Sequence, residues 1–134
     1  MHDLDLADDY VRWFETLGKT GVHRLGMHVA KDVRYRTPLT EGAGLAAVTA
    51  IFMSIFDDAA AVKIKVTDRA RGMDGHTVYL RWDRLVTSQK GQIHGLSGVS
   101  ELMFGMDGKI VSIIDHWDSV PPVPKKSIFA RFRK

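Results

Sequence analysis

Between Ala7 and Leu17, apolar side chains recur every three or four positions. Ala7, Tyr10, Val11, Phe14 and Leu17 fall on one helical face, and Asp8, Asp9, Arg12 and Glu15 on the other. This spacing predicts an amphipathic helix over 7–17, capped by Asp3 or Asp5 and ended at Gly18. Trp13 falls off the apolar face and is expected at a cavity mouth or a partner contact. A short second helix is predicted over 21–30, with Thr20 as its N-cap. Val33, Tyr35 and Thr37 then alternate with Arg34 and Arg36 in a short strand that Pro38 stops. After a turn, Leu45, Val48, Phe52 and Ile55 return to helical spacing over 44–56.

From Val62 the period drops to two. Val62, Ile64 and Val66 alternate with Lys63, Lys65 and Thr67, a half-buried strand. Asp74-Gly75 turns the chain into a long strand over 76–87, and residues 88–91 turn it into another over 92–104. Asp107-Gly108 reads as a type I′ turn, which needs positive φ at both central residues, and it opens a last Ile- and Val-rich strand. The prolines at 121, 122 and 124 cannot pair in a central strand. The order predicts an α+β fold, with helices covering one face of a curved, mostly antiparallel sheet. One domain is expected over 1–120, followed by a basic tail over 121–134.

The bulk figures narrow the function classes. At 134 residues, 45% hydrophobic and 26% charged, the chain suits one globular domain. The formal charge of +3 includes five cations, Lys125, Lys126, Arg131, Arg133 and Lys134, with no acid beyond Asp118; removing those five leaves −2 for the rest. A near-neutral body argues against a nucleic-acid partner, which calls for a basic stripe across the domain. No apolar run approaches the roughly 20 residues of a membrane span. The acidic start Met1-His2-Asp3-Leu4-Asp5 lacks a signal peptide's basic region, so a cytoplasmic protein is expected. The absence of cysteine excludes disulfides and thiolate chemistry. The end, Ile128 to Lys134, alternates aromatic and basic residues; it reads as a loose tail, a flap, a strap on a partner or a membrane-surface segment.

The candidate chemistry sits in the late strands. Asp115, His116, Trp117 and Asp118 close an apolar run, so each carboxylate points to solvent, holds a partner or lines a pocket. Alternation sends Arg81 and Asp83 to one strand face. A guanidinium between Asp83 and Asp115 would hold two carboxylates close and let their pKa values diverge. Against this, Val78, Leu80, Trp82 and Val86 make the opposite face the more apolar one, leaving Arg81 and Asp83 as a solvated cross-strand pair. His94 and His116 are an acid/base or metal pair in outline, but no third ligand is spaced for a metal, and none is expected. His2, His23, His28 and His76 read as surface or cap residues. Trp117 reads as core packing or a pocket wall, and Asp118 as a strand-end cap.

Several short motifs, in this order, carry a family resemblance: Asp32-Val33, Gly42, Gly95-Leu96-Ser97-Gly98, Asp107-Gly108-Lys109-Ile110 and Asp115-His116-Trp117-Asp118. The chain resembles the NTF2-like superfamily in its SnoaL-like branch. That resemblance implies a cone enclosing a deep apolar pocket for a small hydrophobic molecule, a homodimer through the sheet, and chemistry without a cofactor. Resemblance to limonene-epoxide-hydrolase-like members implies that Asp115 deprotonates a water, Asp83 protonates the epoxide and Arg81 bridges them. Tyr35 would then hold the water, with Thr37 standing where an Asn is expected. Resemblance to ketosteroid-isomerase-like members makes Tyr10 the oxyanion donor, but Thr37 replaces their base and Ser100 falls near their second oxyanion group. A polyketide-cyclase-like variant would need only Asp115 or Asp118, with His94 or His116. A non-catalytic binding module using the same cavity is the alternative class.

Overall fold

A computed structural model of the chain describes residues 3–117. Asp118, His2, the side chains of Asp3 and Asp5, and the tail lie outside the described residues. The elements are α1 (Asp3–Glu15), a 3₁₀ helix (Gly21–Met27), β1 (Val29–Arg36), β2 (Glu41–Ala43), α2 (Leu45–Met53) with a 3₁₀ extension (Ser54–Phe56), β3 (Ala59–Arg71), β4 (Thr77–Ser88), β5 (Ile93–Phe104) and β6 (Ile110–Trp117). The strands form one six-stranded sheet in the order β2-β1-β6-β5-β4-β3. Among the described residues only β1 and β6 pair in parallel; every other neighbour is antiparallel. The α+β class and the meander are therefore as the residue pattern predicts.

The sheet's inner face and the helices share one core. Val33 and Tyr35 of β1, Leu80 and Trp82 of β4, Leu102 of β5 and Ile113 of β6 are buried with Tyr10 and Phe14 of α1 and Val48 and Phe52 of α2. The alternation in β1 delivers this directly, since Val33 and Tyr35 are buried while Arg34 and Arg36 are exposed. β3 carries an extra residue at Thr67, where the register moves from Val66↔Trp82 to Asp68↔Arg81. Glu15 at the end of α1 accepts the Val66 N–H at 2.8 Å, and Arg69 pairs with Asp8. These two contacts fasten α1 to the bent strand. No helix among the described residues is long and apolar enough to cross a membrane.

Four local expectations are corrected. Trp13 is buried, not at a mouth: its Nε1 donates to the Gly21 carbonyl at 2.7 Å and its ring meets Phe52 edge-on at 5.3 Å. Thr20 makes no side-chain cap, because its own backbone is already helical. The Asp107-Gly108 turn is not type I′: only Gly108 has positive φ, at 83°, while the Asp107 carboxylate takes the Lys109 N–H. Residues 41–43, expected as a turn, form β2. The Thr37–Thr40 turn folds the chain back on β1, and three residues are too few to show a strand period.

Candidate active site

The site is built where β1, β4, β5 and β6 lie side by side. Across β5 and β6, Ser100 opposes Asp115; across β4 and β5, Leu80 opposes Ser100 and Trp82 opposes Gly98. Paired residues share a face, so Trp82, Gly98, Ser100, Asp115 and Trp117 all belong to the inner one. Gly98 is required there, because a Cβ would lie 2.6 Å from the Trp82 indole. The missing side chain lets that indole lie across β5 and reach Ser100 Oγ, to which Nε1 donates at 2.9 Å.

Ser100 in turn donates to Asp115 Oδ1, and the Tyr35 hydroxyl donates to Oδ2. Both carboxylate oxygens thus accept a hydroxyl proton from a side chain that is itself held in place. Tyr35 is stacked on Phe52, with centroids 4.9 Å apart. Asp115 is only 7% exposed. Burial raises its pKa from 3.8 to about 6, against the opposing pull of the Ser100 and Tyr35 hydrogen bonds and of the charges on Arg84 and His116. Tyr10 is fully buried in α1. Burial, and then the Asp115 charge, push its phenol well above the ordinary value. The same two causes, in the same order, raise Tyr35.

The sequence-predicted site divides in two. Asp115, Tyr35, Tyr10 and Trp117 come together on the inner face. Trp117 packs edge-on against Trp82 at 6.2 Å. Arg81 and Asp83 do not join them, and the expected Asp-Arg-Asp set does not form. Their strand neighbours Leu80, Trp82 and Arg84 point inward, so Arg81 and Asp83 face outward with Ser97, Val99 and His116. Asp83 accepts a hydrogen bond from Ser97, and Arg81 lines an open groove of about 500 Å³ with Ser97, Val99 and His116. The two histidines do not meet either. His116 pairs with Glu101 on the outer face, while His94 is exposed opposite Val86, well along β5. Thr37 is buried beside the site, but its hydroxyl accepts the Leu39 and Thr40 N–H groups and so closes a turn.

Sequence reasoning passed over Arg84. Its guanidinium carbon lies 5.8 Å from the Trp82 ring centroid and 5.9 Å from that of Trp117. Burial lowers its pKa, which the charges of Tyr35 and Asp115 partly restore. The signal was available: alternation that puts Arg81 and Asp83 outward leaves Arg84 as the lone cation among Val78, Leu80, Trp82 and Val86.

A family profile described as the SnoaL-like domain matches residues 10–113. The chain belongs to that family. Solved structures share its fold. An NTF2-like protein of unknown function from Exiguobacterium sp. 255-15 is 19% identical, with a TM-score of 0.73 over 86% of this chain and 99% of its own. A putative isomerase of the SnoaL-like family from Agrobacterium tumefaciens is 18% identical, with a TM-score of 0.67 over 87% of this chain and 97% of its own. A putative SnoaL-like polyketide cyclase from Jannaschia sp. CCS1 is 12% identical, with a TM-score of 0.64 over 90% and 91%. No curated protein matches the chain significantly. Members of the SnoaL-like family generally bind small molecules.

Proposed function

We propose that this SnoaL-like domain is an acid/base enzyme that moves a proton on a small hydrophobic molecule held against the inner sheet face. Asp115 takes the proton and returns it. The observation that carries this reading is the state of that carboxyl: buried, fixed by two hydroxyls, and raised to about 6. A base whose pKa lies just below neutrality is mostly ionised at pH 7, yet is strong enough to accept a proton from carbon and weak enough to give it back. Tyr10, kept protonated by burial, supplies an O–H donor to the oxygen on which charge develops. Isomerisation or cyclisation through an enol or enolate fits one carboxylate plus one phenol. Epoxide hydration by an Asp-Arg-Asp set does not, because Asp83 and Arg81 lie on the other side of the sheet.

The reading includes a pair of chains joined through the outer sheet face, where Tyr79 and Met103 are 37% and 45% exposed; sedimentation analysis reads the mass directly. The chemical test is hydrogen–deuterium exchange at the carbons next to the carbonyl of 2-tetralone, followed by NMR between about pH 5 and 8. Wild type accelerates exchange with an apparent pKa near 6 and faster turnover on the alkaline side. Asp115→Asn abolishes the acceleration, and Arg81→Gln leaves it intact. Equal exchange by wild type and Asp115→Asn would overturn the proposal in favour of a non-catalytic binding module.

A further inference from the structure

Arg84 is the one inner-face group at this site that the proton-transfer reading leaves unused. It stands on β4 with Ile64 of β3 and Leu96 of β5 opposite it, at the end of the inner face where Val62, Leu96 and Trp117 are half-buried. Its Nε is buried and has no hydrogen-bond partner, and among the described residues the guanidinium forms no ion pair. Asp115 makes no ion pair with it among the described residues; that carboxylate accepts from Tyr35 and Ser100 instead. The contacts that remain are the faces of Trp82 and Trp117.

A cation held this way is costly unless something answers it. The indole quadrupoles contribute part of that answer, but they leave the buried Nε–H without an acceptor. A buried donor without a partner forfeits its hydrogen bonds to water. Planar anionic oxygens match the guanidinium fork.

We infer that Arg84 is a binding residue for an acidic oxygen of the substrate, a carboxylate or an enolate on a flat apolar body that lies beside Trp82 and Trp117. The inference deepens the proton-transfer reading and rests on it for the placement of substrate on this face. It adds the substrate class: an organic acid or acidic enol rather than a neutral terpenoid or steroid. The titratable groups facing Asp115 are Tyr35 from β1, Tyr10 from α1 and Arg84 from β4, with His116 on its own strand; from α2 comes only Phe52. An anion therefore enters most readily when Asp115 is protonated and no longer opposes it beside Arg84.

The test compares 2-naphthoate with 2-naphthalenemethanol, a neutral probe of the same outline, by calorimetric titration at about pH 5.5 and 8. Wild type is expected to bind the anion about tenfold or more tightly than the alcohol at the lower pH, with a smaller preference at the higher. Arg84→Gln removes the preference and leaves alcohol binding unchanged, whereas Arg84→Lys keeps part of it. Equal binding of the two probes by wild type, no binding of the anion, or a preference that survives in Arg84→Gln overturns the inference. The wild-type comparison stands even if Arg84→Gln fails to fold. Asp115→Asn separates the two readings: it is expected to bind 2-naphthoate tightly at pH 8 while losing proton exchange. If wild type proves inactive in exchange but shows the anion preference, the enzyme reading falls and the binding residue stands.

Discussion

Replacing Asp115 by Asn turns the raised pKa into a stability measurement. In the unfolded chain the carboxyl titrates near 3.8, and in the folded protein near 6. Between those values the folded state holds a proton that the unfolded state has released, so stability falls as pH rises through this window. Just over two pKa units correspond to about 3 kcal/mol, lost by pH 7 and retained below the unfolded value, at pH 3. Asn is nearly isosteric and does not ionise, and the Ser100 and Tyr35 hydroxyls can each turn to donate or accept. The gap between the two proteins, whatever its value at pH 3, should therefore shift by about 3 kcal/mol in favour of Asn by pH 7. With a urea slope of about 2 kcal/mol/M, that is a relative midpoint shift of roughly 1.5 M. Urea unfolding at half-unit pH steps reads it, and every other titrating group cancels in the comparison. A gap constant to within about 0.5 kcal/mol would refute the raised pKa, and with it the buried, ionisable Asp115 of the proposed mechanism.

Other perturbations probe the frame around that carboxyl. Tyr35→Phe removes a donor that holds the Asp115 pKa down, so the carboxyl should titrate above 6 in a ¹³C NMR pH series, at a stability cost of about 1–2 kcal/mol at pH 7; an unchanged titration would show that the hydroxyl does not serve it. Ser100→Ala leaves Trp82 Nε1 without its acceptor and should cost about 1–3 kcal/mol by chemical unfolding, with an altered Trp near-ultraviolet signal. Gly98→Ala places a methyl 2.6 Å from the Trp82 ring and 2.8 Å from the His116 carbonyl, and should lower stability by about 1–3 kcal/mol. An unchanged melting temperature in Gly98→Ala would mean that the indole does not cross β5 there.

The elements were legible because their periods are clean. Val33, Tyr35 and Thr37 announced which face of β1 turns inward, and the spacing of Tyr10, Val11 and Phe14 did so for α1. Residues 41–43 were not legible, since a three-residue strand is defined by its partner rather than by its own pattern. The site was half legible. Asp115 and Tyr35 lie far apart in sequence, and the family resemblance, not any local motif, put them in one pocket. Arg81 and Asp83 drew attention because charges mid-strand look like chemistry, yet the apolar run Val78, Leu80, Trp82, Val86 already assigned the inner face to their neighbours. Following that alternation one step further reaches Arg84. Its meeting with two indoles depends on the bare backbone at Gly98, which only the paired register reveals.

The position of β6 has a consequence for how the protein is made. The last described strand is not an edge: it lies between β1 and β5, parallel to the first and antiparallel to its own predecessor. Until it docks, β1 and β5 each present an open row of backbone donors and acceptors, the kind of edge that invites pairing with another chain. Contacts between residue 35 and residue 115 also span most of the described chain, a long closure of the sort that slows folding. Asp115 rides on that closing strand, so the solvent it loses is lost only at the end of assembly. An emerging chain carries this carboxylate at no cost, and buries it between Tyr35 and Ser100 in the same event that seals its sheet.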